Sequence, residues 1–251
     1  MECRPTVKDI FDYIDSIAPF EAQCDWDNSG LIVGSFNAQV NKIGVVLDIT
    51  CDAVKYAAQN GIDLIVSHHP VIFRAVKNFY ADDPAFLLAK NGISAICAHT
   101  SLDIAKGGVN DALAAALGFE NASPLTESGE EAMVRVAEIK PTTADELAEL
   151  VADKLSTCVA VADGGKEIKK VALCGGAGSD FFEIAGCDAY ITGEVKHHEF
   201  FKAAEVGITL IAAGHFETEN PVVAVLAKKL KNNFGCEVEI IPQKSPVKYY
   251  R

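Results

Sequence analysis

No run of apolar residues in this 251-residue chain approaches the roughly 20 that a bilayer-crossing helix needs, so no membrane partner is expected. The opening stretch, MECRPTVKDIFDYIDSIAPFEAQCDWDN, lacks the continuous apolar core of a signal peptide, and a cytoplasmic location is the expectation. Closely paired cysteines are also missing. The nearest of the eight, Cys174 and Cys187, are 13 residues apart, so there is no C-x-x-C clip for zinc. Cys51, Cys97, Cys174 and Cys187 lie in or beside apolar runs, where reduced thiols act as small hydrophobes. Positive charge is in short supply: 22 Lys and Arg face 35 Asp and Glu, a formal net charge of −13. Such a surface repels phosphate backbones and anionic lipid, which weighs against nucleic acid as a partner. A small anionic substrate stays open, because a bound cation reverses the sign locally. The Gly-rich stretch CGGAGSD (174–180) has neither the lysine of a P-loop nor the G-x-G-x-x-G order, so it is a weak nucleotide signal.

What is present is an ordinary globular balance, 49% apolar and 23% charged, in an alternating α/β rhythm. Strands are expected at KIGVVLDI (42–49), DLIVSHH (63–69) and ISAICAH (93–99). Helices are expected between them, at CDAVKYAAQNG and at DDPAFLLAKNG (82–92), with VNDALAAALG (109–118) following. The second half repeats the grammar. Strands are expected at 169–176, 188–193 and 208–215, and helices at SDFFEIAGC, KHHEFFKAAEVG (196–207) and NPVVAVLAKKLKNNFG (220–235). CEVEIIP closes as a last strand. Between the halves, EAMVRVAEIK (131–140) reads as a strand, and TTADELAELVADKLS (142–156) as a helix capped at Thr142 or Thr143. The fold class is therefore α/β: two similar halves with layered sheets and helices, residues 1–126 and 127–251, divided in the polar stretch SPLTESGEE and with no additional inserted domain. The halves align as an internal duplication in which Asp63 matches Asp188 and NGISAICAH matches VGITLIAAGH.

After the last strand of each half comes a histidine followed four residues later by an acid: His99 and Asp103 in HTSLD, His215 and Glu219 in HFETE. Positions i and i+4 share a helix face, so an imidazole and a carboxylate can aim at one cation. His68 and His69, adjacent at a strand end and followed by Pro70, add two nitrogens. Taken singly, such strand-end histidines are more often hydrogen-bonded structural groups. Together they give five or six nitrogen and oxygen donors, more than one tetrahedral zinc needs and enough for two cations. Mixed imidazole and carboxylate donors suit iron, zinc, manganese, nickel or cobalt. A site between the halves is the expectation.

WDNSGLIVG (26–34), SHHPVIF (67–73), AHTSLDIAKGGVNDALA (98–114), ITGEVKHHEF (191–200) and GHFETE (214–219) together resemble the GTP cyclohydrolase I type 2 homologue family, also called NIF-three-like and including the bacterial YbgI proteins. The likeness spans nearly the whole chain in one order. It implies a dinuclear metal centre with ligands at His68, His69, Asp103, His215 and Glu219, Glu219 matching the bridging position and His99 lying close by. It also implies a toroidal homohexamer with the sites facing an inner cavity. Some members carry a domain between the halves, for which this length leaves no room.

Other marked residues read more weakly. Asp27 and Asn28 either line the site or form a turn before Gly30, and the turn is the favoured reading. Glu194, Lys196 and His198 stand at a helix start as substrate-side candidates, although a solvated helix start accounts for them equally well. His197 and His198 are not expected as metal ligands, because the positions matching His68 and His69 are Gly193 and Glu194. The expected function is metal-dependent hydrolysis of a cyclic amide, nucleotide or phosphoester, with His99 as candidate proton carrier. The alternative is a metal-handling protein of metallochaperone type, without turnover. A ring that binds protein partners is a third reading.

Overall fold

The computed structural model describes residues 4–248. Helix α1 (Val7–Ile17) opens with a capping box, the Thr6 side chain accepting from the Asp9 amide while Asp9 returns the bond to the Thr6 amide. There follow β1 (Gly30–Val33), β2 (Lys42–Val46), α2 (Cys51–Gln59), β3 (Leu64–Ser67), α3 (Pro84–Asn91), β4 (Ser94–Cys97) and the single turn α4 (Thr100–Ile104). The chain continues through α5 (Val109–Leu117), β5 (Ser123–Pro124), β6 (Arg135–Thr142), α6 (Ala144–Leu155), β7 (Ala160–Ala162), β8 (Ile168–Cys174) and β9 (Ala189–Thr192). It ends with α7 (His197–Val206), β10 (Thr209–Ala212), α8 (His215–Glu219), α9 (Pro221–Asn233) and β11 (Glu237–Ile240).

These elements form two compact units. One takes the chain as far as Gly108 and adds Val223–Lys244; the other holds Val109–Val222. In the first, five strands lie in the order β1-β4-β3-β2-β11. β4, β3, β2 and β11 run parallel, and β1 closes the edge antiparallel to β4. β3 and β4 are buried at every position, which is why their sequences are unbroken apolar runs rather than alternating ones. Ile65, Val46 and Ala95 pack there with Val54 of α2 and Leu88 of α3. The second unit has six strands in the order β5-β6-β8-β9-β10-β7, with β8, β9 and β10 parallel and antiparallel neighbours on both sides. Val171, Ile191 and Ile211 meet Leu113 of α5 and Leu147 of α6 in its core.

The repeat is visible in hydrogen bonds as well as topology. Asp63, just before β3, accepts the backbone amides of Asn41 and Lys42 at 2.7 and 3.2 Å. Asp188, just before β9, accepts those of Lys169 and Lys170, both at 2.9 Å. Each carboxylate joins the starts of two neighbouring parallel strands. The register also corrects one expectation. Ser67 pairs with Cys97 and Thr192 with Ala212, so the residue in step with His99 is Gly214, not His215. His99 accordingly caps α4, whereas His215 is the first helical residue of α8. The two His-x-x-x-acid segments keep their internal spacing but are displaced by one residue along the turn.

SDFFEIAGC also departs from expectation. It makes only a 3-10 turn at Gly178–Phe181 instead of a helix. A Cβ on Gly178 would lie 2.6 Å from the Cys174 side chain, and Tyr190 donates its hydroxyl to the Gly178 carbonyl at 2.7 Å. This close tie to the sheet holds the segment in a tighter turn than an α-helix allows.

Candidate metal centre

In the first unit, His68 and His69 leave the carboxyl end of β3, and His99 leaves that of the adjacent β4. Parallel pairing therefore delivers all three imidazoles to one end of the sheet, the end where ligands collect in such folds. Ring centroids are 4.8 Å apart for His68 and His69, 5.1 Å for His68 and His99, and 5.5 Å for His69 and His99. One ring nitrogen from each of the three lies within 4.8 Å of the others. Asp103 joins from α4, its Oδ1 3.7 Å from Nε2 of the buried His68.

The orientation of each ring has an identifiable cause. His68 Nδ1 lies 2.9 Å from the Ala98 carbonyl, which can only accept, so Nδ1 carries the proton and Nε2 keeps its lone pair. His69 Nδ1 meets Asp48 Oδ1 at 2.7 Å, and His99 Nδ1 meets Asp27 Oδ1 at 2.7 Å. Oxygen acceptors on Nδ1 with Nε2 turned elsewhere are the outer arrangement typical of metal-binding histidines. His68 and His69 fixed this way, with the Asp103 carboxylate beside His68 and the His99 ring alongside, fit a divalent transition-metal ion.

Asp27, for which the sequence favoured a turn over contact with the site, reaches the cluster through His99. Besides His99, it accepts from the Thr100 amide at 3.0 Å, the Thr100 hydroxyl at 2.5 Å and the Asn28 amide at 2.6 Å. Burial pushes its carboxyl up, but the bonds to His99, Thr100 and Asn28 outweigh that and hold it well below the usual carboxylate range. An ionised Asp27 is therefore a fixed acceptor. Cys97 lies under the cluster and donates its thiol to the His68 carbonyl at 2.9 Å. Burial, then the Asp27 charge, raises that thiol well above its ordinary range, so it behaves as a small apolar group with one donor.

The second unit brings His215 and Glu219 together on α8, His215 Nε2 lying 3.1 Å from Glu219 Oε2. Glu194, at the end of β9, meets His215 Nδ1 at 2.8 Å and so orients that imidazole, in the manner of Asp48 on His69. Lys196 and His198 are solvent-exposed. The Lys196 ammonium pairs with Asp180 at 3.6 Å and Glu199 at 3.4 Å, and the His197 ring lies against Phe201 with centroids 5.1 Å apart.

Two glycines of CGGAGSD wall this half of the constellation. A Cβ on Gly176 would stand 2.1 Å from Glu219 Oε1 and 3.1 Å from His215 Nε2; one on Gly175 would stand 3.2 Å from Glu219 Cγ. The glycines let the backbone approach the carboxylate, which is a different use from cradling phosphate. Gly193 explains the missing histidine pair of the second half. A Cβ there would sit 2.8 Å from His215 Cα and 2.6 Å from the Gly176 carbonyl, so a side chain like that of His68 has no room. Sequence reasoning did not single out Asp48 or Gly176. Asp48 follows β2 by two residues, at the same strand ends that supply the histidines, and that position was the available signal.

Relatives of the chain share this frame. A chain of Clostridium acetobutylicum named GTP cyclohydrolase 1 type 2 homolog is 34% identical, over 98% of both chains. A Helicobacter pylori chain named GTP cyclohydrolase 1 type 2 is 33% identical, over 96% of this chain and 98% of that one. The crystal structure of the Staphylococcus aureus hypothetical protein SA1388 superposes with a TM-score of 0.91 at 24% identity, covering 99% of this chain and all of that one, a likeness of fold. The family model described as Duf34/NIF3 (NGG1p interacting factor 3) matches residues 5–246, so that nearly all of the sequence is accounted for and the chain belongs to the Duf34/NIF3 family.

Proposed function

We propose that the protein is a dinuclear metal-dependent hydrolase in which His68, His69, Asp103, His215 and Glu219 would hold the two ions, as the family resemblance implies. The observation that carries this reading is the common clamp on the histidines: Nδ1 of His68, His69, His99 and His215 each faces an oxygen acceptor. The donor set supports iron, zinc, manganese, nickel or cobalt. Two such ions supply Lewis acidity and a water of lowered pKa. The chain's own groups do the rest. Asp48, Asp27 and Glu194 orient imidazoles, and His99, held by Asp27, carries a proton at Nε2 to or from the reacting group. The relatives' name, GTP cyclohydrolase 1 type 2, supports a nucleotide as substrate. The family likeness also supports a homohexamer, and the absence among the described residues of a helix long and apolar enough to cross a membrane is in keeping with a cytoplasmic location.

A metal-handling role without turnover is the second reading. It is favoured by the exposure of Glu194 and the 35% exposure of the His215 side chain, which leave a path for ion exchange. Elemental analysis of purified protein should find close to two divalent metals per chain, and His69→Ala or Glu219→Ala should remove most of them. Full metal in both variants would sink the assignment. Screening the metal-loaded protein against nucleotides, cyclic amides and phosphoesters, with Glu219→Ala as control, separates hydrolase from carrier: turnover that disappears in the control supports the hydrolase.

A further inference from the structure

Beside His99 stand two large apolar rings that the core does not use. Trp26, the chain's single tryptophan, is 56% exposed, and Phe73 is 42% exposed. Their centroids are 5.9 Å apart with the planes inclined at 54°, so neither ring stacks flat on the other. Trp26 lies 6.0 Å and Phe73 6.1 Å from the His99 imidazole, at 74° and 80° to it. The three rings thus form a corner, two sides aromatic and one side the histidine that closes the metal-binding cluster.

The corner is held in place. Asn28, two residues after Trp26, donates its side-chain amide to the carbonyl of Ile72, next to Phe73, at 2.5 Å. Asp27, between Trp26 and Asn28, fixes His99. Bonds from consecutive residues therefore tie the Trp26 segment both to the Phe73 segment and to the histidine. Exposed aromatic faces beside a polar cluster are costly in water and are the usual form of a ligand wall. A π face carries no net charge, so a chain of net charge −13 can offer it to a planar ring without adding another carboxylate to the surface.

We infer that Trp26 and Phe73 form a stacking subsite for the planar, unsaturated ring of the substrate, next to the proposed metal centre. This rests on the hydrolase reading and adds to it the class of ligand and the residues that grip it. Stacking recognises the face of a ring and not its edge pattern, so the subsite prefers purine over pyrimidine by area and ignores a bare sugar.

The single tryptophan makes the test direct. Zinc-loaded protein, in its native assembly, is titrated with adenosine, uridine and ribose while Trp26 fluorescence is read. Adenosine should quench saturably, uridine more weakly, and ribose not at all. Phe73→Leu should raise the half-saturating adenosine concentration about tenfold, the order expected for one lost stacking face, while keeping its zinc and its far-UV circular dichroism. Any of four results overturns the subsite: quenching that never saturates, equal quenching by ribose, an unchanged titration in Phe73→Leu, or loss of zinc or fold in that variant. Blue-shifted Trp26 emission that acrylamide cannot quench overturns it too, because the ring would then be covered by protein. Zinc analysis of the same samples reports separately on the metal centre, so failure of the subsite and failure of the hydrolase reading leave different records.

Discussion

Glycine 176 shows how much one missing Cβ can carry. Its φ is +61°, and a Cβ there would lie 2.1 Å from Glu219 Oε1, so an alanine meets both backbone strain and a carboxylate. Gly165 has φ +70° with nothing within 4 Å, the same strain without the collision. Both alanine variants should lose about 1–2 kcal/mol of stability from the left-handed backbone alone. Only Gly176→Ala should also displace Glu219 and lose bound metal. Thermal melts and elemental analysis of the pair check this, and equal metal content in both would refute the close approach. Asp48 and Glu194 act at one remove, through His69 and His215. Asp48→Ala and Glu194→Ala should each leave the fold intact and weaken metal binding about tenfold or more, measured by competition with a chromogenic chelator, because an unanchored imidazole must be ordered by the metal itself. Unchanged affinity in both would reduce these carboxylates to surface groups.

At the scale of elements, the paired carboxylates of the repeat invite a matched comparison. Asp63 and Asp188 each join two parallel strands through two backbone amides. Alanine at either position leaves two amides without their acceptor and should cost about 1–3 kcal/mol in urea unfolding, by a similar amount in each half. A large cost in one half and none in the other would mean that the repeat is topological only.

The sequence made these strands legible because β3, β4 and β9 are buried at every position and therefore apolar throughout. Helices α3 and α6 were readable from Pro84 and from an N-cap signal at Thr142 or Thr143, local signals that need no tertiary context; the structure places the cap at Thr143, with Glu146 completing the box. Strands β5 and β7 were not, since short exposed edge strands have neither burial nor period to mark them. The 3-10 turn at Gly178 was hidden for the opposite reason: its helical spacing is overridden by a contact with Cys174. At the site, histidines at strand ends were visible as residue types in a pattern. Asp27 was favoured as a turn over a site contact, because its bond to His99 joins residues 72 apart in sequence. The one-residue displacement between the His99 and His215 segments needed the strand register, which spacing within each motif cannot reveal.

For the molecule as a whole, the imidazole orientations predict how folding responds to metal. In small zinc domains the metal assembles its ligands and removal unfolds the chain. Here the rings are oriented by a carbonyl and three carboxylates that belong to the protein, and each unit has an apolar core of its own. Chelation should therefore leave far-UV circular dichroism unchanged while lowering the melting temperature. A ligand at a thousandfold its dissociation constant stabilises the native state by about 4 kcal/mol, and a chain of this size gains roughly 2–4 °C per kcal/mol. The expected drop is thus on the order of 10 °C, restored when zinc is added back. Two comparisons make the reading specific. Glu219→Ala should melt near the chelated protein and respond little to zinc, whereas Lys196→Ala, which removes one ion pair to the exposed Asp180 and one to the buried Glu199, should show the full recovery. Collapse of the circular dichroism on chelation would place the ordering of the site in the metal rather than in the chain. A melting temperature unmoved by chelation would leave the histidines as hydrogen-bonded structural residues.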